Sequence, residues 1–237
     1  MRNTITIMQR ELRAYFTSTV AYTVAAFFLL ICGYLFYATL RVTQEATLTY
    51  FFNNAAVIML LLSPAMTMRL VAEERRTGSI ELLMTAPVTE TQVIAGKYLG
   101  AVLFYLSMLV LTLQYPFILL RLGAPDKGPM LSGYLGLLLL GAGFLAIGLV
   151  ASTLTKNQIV AAVGAFAAML LLWIISWVGS TGSTSTLTEI LRNLSLFDRF
   201  QNFTKGLINT RDVLFFLSLI GFCLFLSVRA LAGVKSR

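Results

Sequence analysis

The sequence predicts an all-α, polytopic integral membrane protein. It has six transmembrane helices, an amphipathic helix on the membrane surface at the N-terminus, a short cytoplasmic helix between spans two and three, and short external amphipathic helices before span six. Two observations carry this. The mean hydropathy is +0.83, with 58% hydrophobic and 12% charged residues, so a bilayer rather than water is the solvent for most of the chain. The apolar residues also fall into six runs close to the ~20 residues that cross a hydrocarbon core ~30 Å thick. The whole chain, 1–237, reads as one transmembrane domain.

Residues 1–17 carry Ile5, Met8, Leu12 and Tyr15 or Phe16 at helical spacing, with Arg2, Gln9, Arg10 and Arg13 on the opposite side. That pattern predicts a helix in the headgroup region with its arginines toward anionic lipid. The first span follows at Val20–Leu40, too long for a secretory leader and without an A-x-A cleavage site. The second, Phe51–Met68, contains Asn53, Asn54 and Pro64, and Pro64 is expected to kink it because proline lacks a backbone donor. Spans three to six are Leu99–Leu120, Met130–Leu154, Ile159–Val178 and Val213–Leu231. Small residues crowd spans four and five, with Ala142/Ala146, Ala161/Ala165 and Gly164/Ala168 at the spacing that brings helix backbones close. Packing inside one bundle is the simpler reading of them. In the external segment, 179–212, a Gly/Ser/Thr connector precedes Leu187, Ile190, Leu191 and Leu194, and then Leu196, Phe200, Phe203 and Leu207. The second group continues the amphipathic pattern, so one or two short helices are expected to dip into the outer leaflet, and no large external domain is expected.

Six spans put both termini on one side. That side collects Arg2, Arg10, Arg13, Arg69, Arg75, Arg76, Lys97, Lys156, Arg229, Lys235 and Arg237; the other has Arg41, Arg121, Lys127, Arg192, Arg199, Lys205 and Arg211. The excess of positive charge makes the termini cytoplasmic. The basic residues flank apolar runs instead of forming a patch interleaved with aromatics, so nucleic acid is not expected as a partner. The chain has no histidine, and Cys32 and Cys223 stand alone in apolar runs, which argues against metal sites and histidine-based catalysis. All ten acidic residues lie in loops or at span ends, where an ion-coupled carrier would need ionisable groups inside the membrane. An intramembrane enzyme would lack a buried acid, base or nucleophile.

The charged stretch "EERRTGSIELLMTAPVTE", residues 73–90, interrupts this apolar chain within the 69–97 loop. Arg69 to Arg76 is expected to extend the second span as helix until Thr77-Gly78 breaks it. Ser79 then caps a short helix, Ile80 to Met84, with Glu81 in its first turn and Pro87 limiting its length. Thr89 and Gln92 form a capping box that starts the helix running through Lys97 into span three. Ile80, Leu83 and Met84 share a face that needs cover, either the membrane surface or a cytoplasmic protein.

"RLVAEERRTGSIELLMTAPVTETQVIAGKYLGA", Arg69 to Ala101, resembles the cytoplasmic loop of permease subunits of type-2 ATP-binding-cassette exporters, most closely those of gliding-motility and nitrous-oxide-reductase-maturation systems. The six spans and the late segment "LSLFDRFQNFTKGLINTRDVLFF" are similar to that family as well. The resemblance implies a permease of a bacterial or archaeal cytoplasmic membrane that exports or extrudes a substrate, paired with a second copy or homologue and with separate ATPase subunits. Membrane lipid surrounds the assembly, and an external accessory protein is compatible with it. It also implies that the short helix is a coupling helix seated on the ATPase, with Glu73, Glu74, Arg75, Gly78, Ser79, Glu81, Leu82 and Leu83 as the contact. The chain has no GxxxxGK[ST] phosphate loop, so ATP and magnesium belong to the partner and this chain needs no cofactor and is not itself an enzyme. The alternative is a membrane scaffold that docks an ATPase without moving a solute.

Overall fold

A computed structural model describes residues 2–79, 88–123, 125–180 and 195–235. These residues form α1 (Arg2–Thr17), α2 (Thr19–Thr43), α3 (Thr49–Thr67), α4 (Ala72–Thr77), α5 (Glu90–Thr112), α6 (Gln114–Leu122), α7 (Lys127–Leu154), α8 (Gln158–Ser180), α9 (Leu196–Thr204) and α10 (Thr210–Lys235). Six stretches are long and apolar enough to cross a membrane: Thr19–Thr43, Thr49–Thr77, Glu90–Leu122, Lys127–Leu154, Gln158–Ile175 and Thr210–Gly233. They coincide with the six predicted spans.

Helix α7 is the axis of the bundle, with α3, α5, α8, α9 and α10 packed round it. Leu137, Leu140, Phe144, Leu145 and Leu149 are fully buried along it. Lipid is as apolar as leucine, so close packing rather than escape from water must hold such helices together. Glycines on α7 supply the closeness. Phe52 of α3 fills the notch at Gly133, Phe203 of α9 that at Gly136, Tyr105 of α5 that at Gly141, and Thr67 of α3 that at Gly148. The small residues of span four are thus packing notches within one bundle, as expected. On span five Ala161 and Ala165 are buried, whereas Gly164 has open space around it.

Three prolines lie inside the described spans, and Pro129 falls in the first turn of α7, where a missing N–H costs no helical bond. Pro64 sits within α3, which continues to Thr67. Pro116 lies near the start of α6, where its missing N–H leaves the Thr112 carbonyl without a helical donor. The Tyr134 hydroxyl of α7 donates to that carbonyl at 2.9 Å, and the third span bends into α5 and α6 at Leu113.

The expected continuous helix from the second span through Arg76 is not formed. Residues 68–71 are a turn between α3 and α4. The surface helix also needs correction. Its Gln9, Arg10 and Arg13 are exposed as expected, but Ile7, Glu11 and Tyr15 face α5 and so the helix packs on protein as well as presenting Ile5 and Phe16 outward. In α9, Leu196, Phe200 and Phe203 are buried against α7 and its neighbours, while Leu207 is exposed. The apolar face expected to dip into lipid is therefore covered by the protein itself. The first half of that segment, from Leu187 to Leu194, lies outside the described residues.

Candidate functional site

The site is the footing of the 69–97 loop, where α1, α4, the end of α7 and the start of α5 meet. Three local features build it. First, Gly96 and Gly100 on α5 face α1: a Cβ at Gly96 would lie 2.8 Å from Ile7 Cβ, and one at Gly100 would lie 2.7 Å from Glu11 Cβ. This Gly-x-x-x-Gly spacing brings two backbones close, as in membrane helix pairs. Tyr15 completes the contact, its ring stacked on Phe104 at 4.8 Å and its hydroxyl donating to the Met66 carbonyl at 2.7 Å. Burial and the neighbouring Glu11 carboxylate push the Tyr15 phenol well above its usual pKa, so it stays a donor.

Second, Lys97 is buried between the two glycines, only 1% exposed. Its ammonium meets Glu11 Oε1 at 2.8 Å and Glu74 Oε1 at 2.9 Å. Arg10 closes the group at 2.8 Å from Glu74 and 3.3 Å from Glu11. A buried cation is costly unless paired, and here two carboxylates from two other elements share it. Arg10 is more than half exposed, so water weakens its contribution.

Third, Ser152 near the end of α7 holds the turn. Its Oγ accepts the Val71 and Ala72 amides at 3.1 and 3.0 Å and lies 3.3 Å from the Met68 carbonyl, to which it donates. One hydroxyl thereby satisfies orphan groups at the end of α3 and the start of α4. The Arg75 guanidinium donates to the neighbouring Thr153 carbonyl.

The proposed contact residues divide accordingly. Glu74 and Arg75 turn inward, to Lys97 and to α7. Glu73 is partly buried beside them. Gly78 ends α4 with φ 73°, the left-handed conformation expected of the Thr-Gly break. Ser79 is exposed, its hydroxyl 2.9 Å from Thr77 Oγ1. Glu81, Leu82 and Leu83, and with them the short helix, lie outside the described residues. Beyond them the Thr89–Gln92 capping box is present, each of its two bonds 3.3 Å long. Glu11, Lys97 and Ser152 were missed by the sequence reading. For Lys97 the signal was there, in the glycines on either side.

These elements define a class: a bundle of membrane-spanning helices with a braced polar loop between its second and third spans. The chain matches the family described as "ABC-2 family transporter protein" over residues 4–227, and it belongs to that family of transporter permeases. It is 30% identical over 125 residues to the "Probable multidrug ABC transporter permease YbhS" of Escherichia coli K12, and equally to that of Escherichia coli O157:H7. These matches cover 48% of this chain and 33% of each relative, so the similarity reaches about a third of the relatives' length.

Proposed function

We propose that this chain is the transmembrane subunit of an ATP-driven exporter, acting with separate ATPase subunits and a second permease copy or homologue. In this reading both termini and the 69–97 loop are cytoplasmic, in a bacterial or archaeal membrane. Residues 78–83 form the surface that meets the ATPase, and Glu73, Glu74 and Arg75 hold the base of that surface. ATP and magnesium act in the partner. The cargo is hydrophobic or amphiphilic, in keeping with charge-poor spans and with the multidrug name of the relatives. The loop resemblance favours the gliding-motility and nitrous-oxide-reductase-maturation subgroup.

The carrying observation is the brace beneath the loop. A displacement of the loop reaches α1 and α5 through Lys97 and α7 through Ser152 and Arg75. ATPases closing on ATP would favour one arrangement of these spans over another, a population shift transmitted by stiff elements. Co-purification with candidate ATPases, followed by ATP hydrolysis assays, tests this. Leu83→Glu is expected to abolish both association and stimulated hydrolysis. A Leu83→Glu permease that still assembles and couples would sink the docking role, and association without ATP-driven solute movement would favour the scaffold.

A further inference from the structure

Beside the brace is a cavity of about 360 Å³ between α1, α2 and the α3–α4 turn. Its lower wall is apolar, formed by Val20, Val24 and Met66 at the ends of the first two spans. Its upper wall is ionic, with Arg69, Glu73 and Glu74. A wall that changes from apolar to ionic at a span terminus suits an amphiphile drawn from the adjoining leaflet, and the volume falls in the range of small-ligand sites.

The ionic wall is selective about what completes it. Glu74 Oε1 is taken by Lys97 and Arg10, but Glu74 Oε2 is buried with no hydrogen-bond partner among the described residues. That oxygen is closed off by protein atoms, so the carboxylate a ligand in the cavity meets is that of Glu73. Arg69 is exposed, and neither it nor Glu73 forms an ion pair among the described residues. The cations lining the cavity, Arg10, Arg69 and Lys97, are balanced by Glu11, Glu73 and Glu74. An anion therefore finds no net attraction, whereas a ligand carrying both charges finds a partner for each.

We propose that this cavity binds the headgroup of an aminophospholipid such as phosphatidylethanolamine. Its ammonium donates to Glu73, its phosphodiester meets Arg69, and one acyl chain runs along Val24 and Met66. A choline headgroup has no N–H to offer Glu73, and a glycerol headgroup brings no cation for it. The site belongs to the permease itself and does not depend on which ATPase it serves.

Native mass spectrometry of the full chain in detergent, titrated with dioleoyl phosphatidylethanolamine, phosphatidylcholine or phosphatidylglycerol, tests this. The ethanolamine lipid should be retained roughly tenfold better than the other two, about what one charge-assisted hydrogen bond supplies. Glu73→Gln with Arg69→Gln should remove most of that preference. Neither residue belongs to the ion group around Lys97, and an unchanged unfolding midpoint in lipid-free detergent confirms an intact fold. Equal retention of the three lipids by the unmodified chain overturns the proposal, as does a preference that survives the double substitution.

Discussion

Lys97 ties α5 to both α1 and α4, through Glu11 and Glu74. Lys97→Met leaves the Glu11 and Glu74 carboxylates facing each other, mostly buried and without the cation between them. Removing one member of such a group costs about 3 kcal/mol, so the unfolding midpoint in detergent should fall clearly, and Lys97→Arg should recover part of the loss. Ser152→Ala strands two amides and a carbonyl and should cost about 1–3 kcal/mol in the same assay. Little of this was legible beforehand. Glu11 and Lys97 are far apart in sequence, and nothing local to Ser152 marks it as more than a mild polar residue in an apolar helix. Gly96 and Gly100 stand at the spacing that lets α1 lie on α5, a signal the chain carries that the span assignment passed over.

Among the elements, the spans were readable because each needs its own apolar run, whatever its neighbours are. The capping box at Thr89 and the glycine break at Gly78 were readable for the same reason, since both are satisfied locally. The turn at 68–71 was not, since Met68 to Val71 contains neither glycine nor proline and the break is stabilised from α7 by Ser152. The face of α9 was misassigned because periodicity shows that a face must be covered, not whether lipid or protein covers it. Glycine positions give the sharpest test at this scale. Gly141→Val must displace the Tyr105 ring and its 2.7 Å bond to the Leu137 carbonyl, and overpacking of this kind costs about 1–3 kcal/mol. Gly164→Ala meets open space and should raise the unfolding midpoint slightly, by the ~0.5–1 kcal/mol that separates the two residues in a helix. Reversed signs for this pair would contradict the packing round α7.

For the whole molecule, ATP-driven export requires that a force applied at the loop reach several spans together. The ion pairs and hydrogen bonds at the footing join the α3–α4 turn to α1, α5 and α7, and six crossings would place Ser79 on the side of α1 and Lys205 on the other. Single cysteines at these two positions should label from opposite faces of sealed vesicles, with Ser79→Cys reactive from the cytoplasmic face. Family membership agrees with the similarity seen in the Arg69 to Ala101 stretch. The most direct measurement places a benzoylphenylalanine photocrosslinker at Leu83 and irradiates membranes that contain the candidate ATPase. A crosslinked product with the combined mass of permease and ATPase is predicted, strengthened or weakened by ATP as the subunits close. Adducts to lipid alone, unchanged by the ATPase or by ATP, would show that the loop lies on the membrane and would contradict the coupling account.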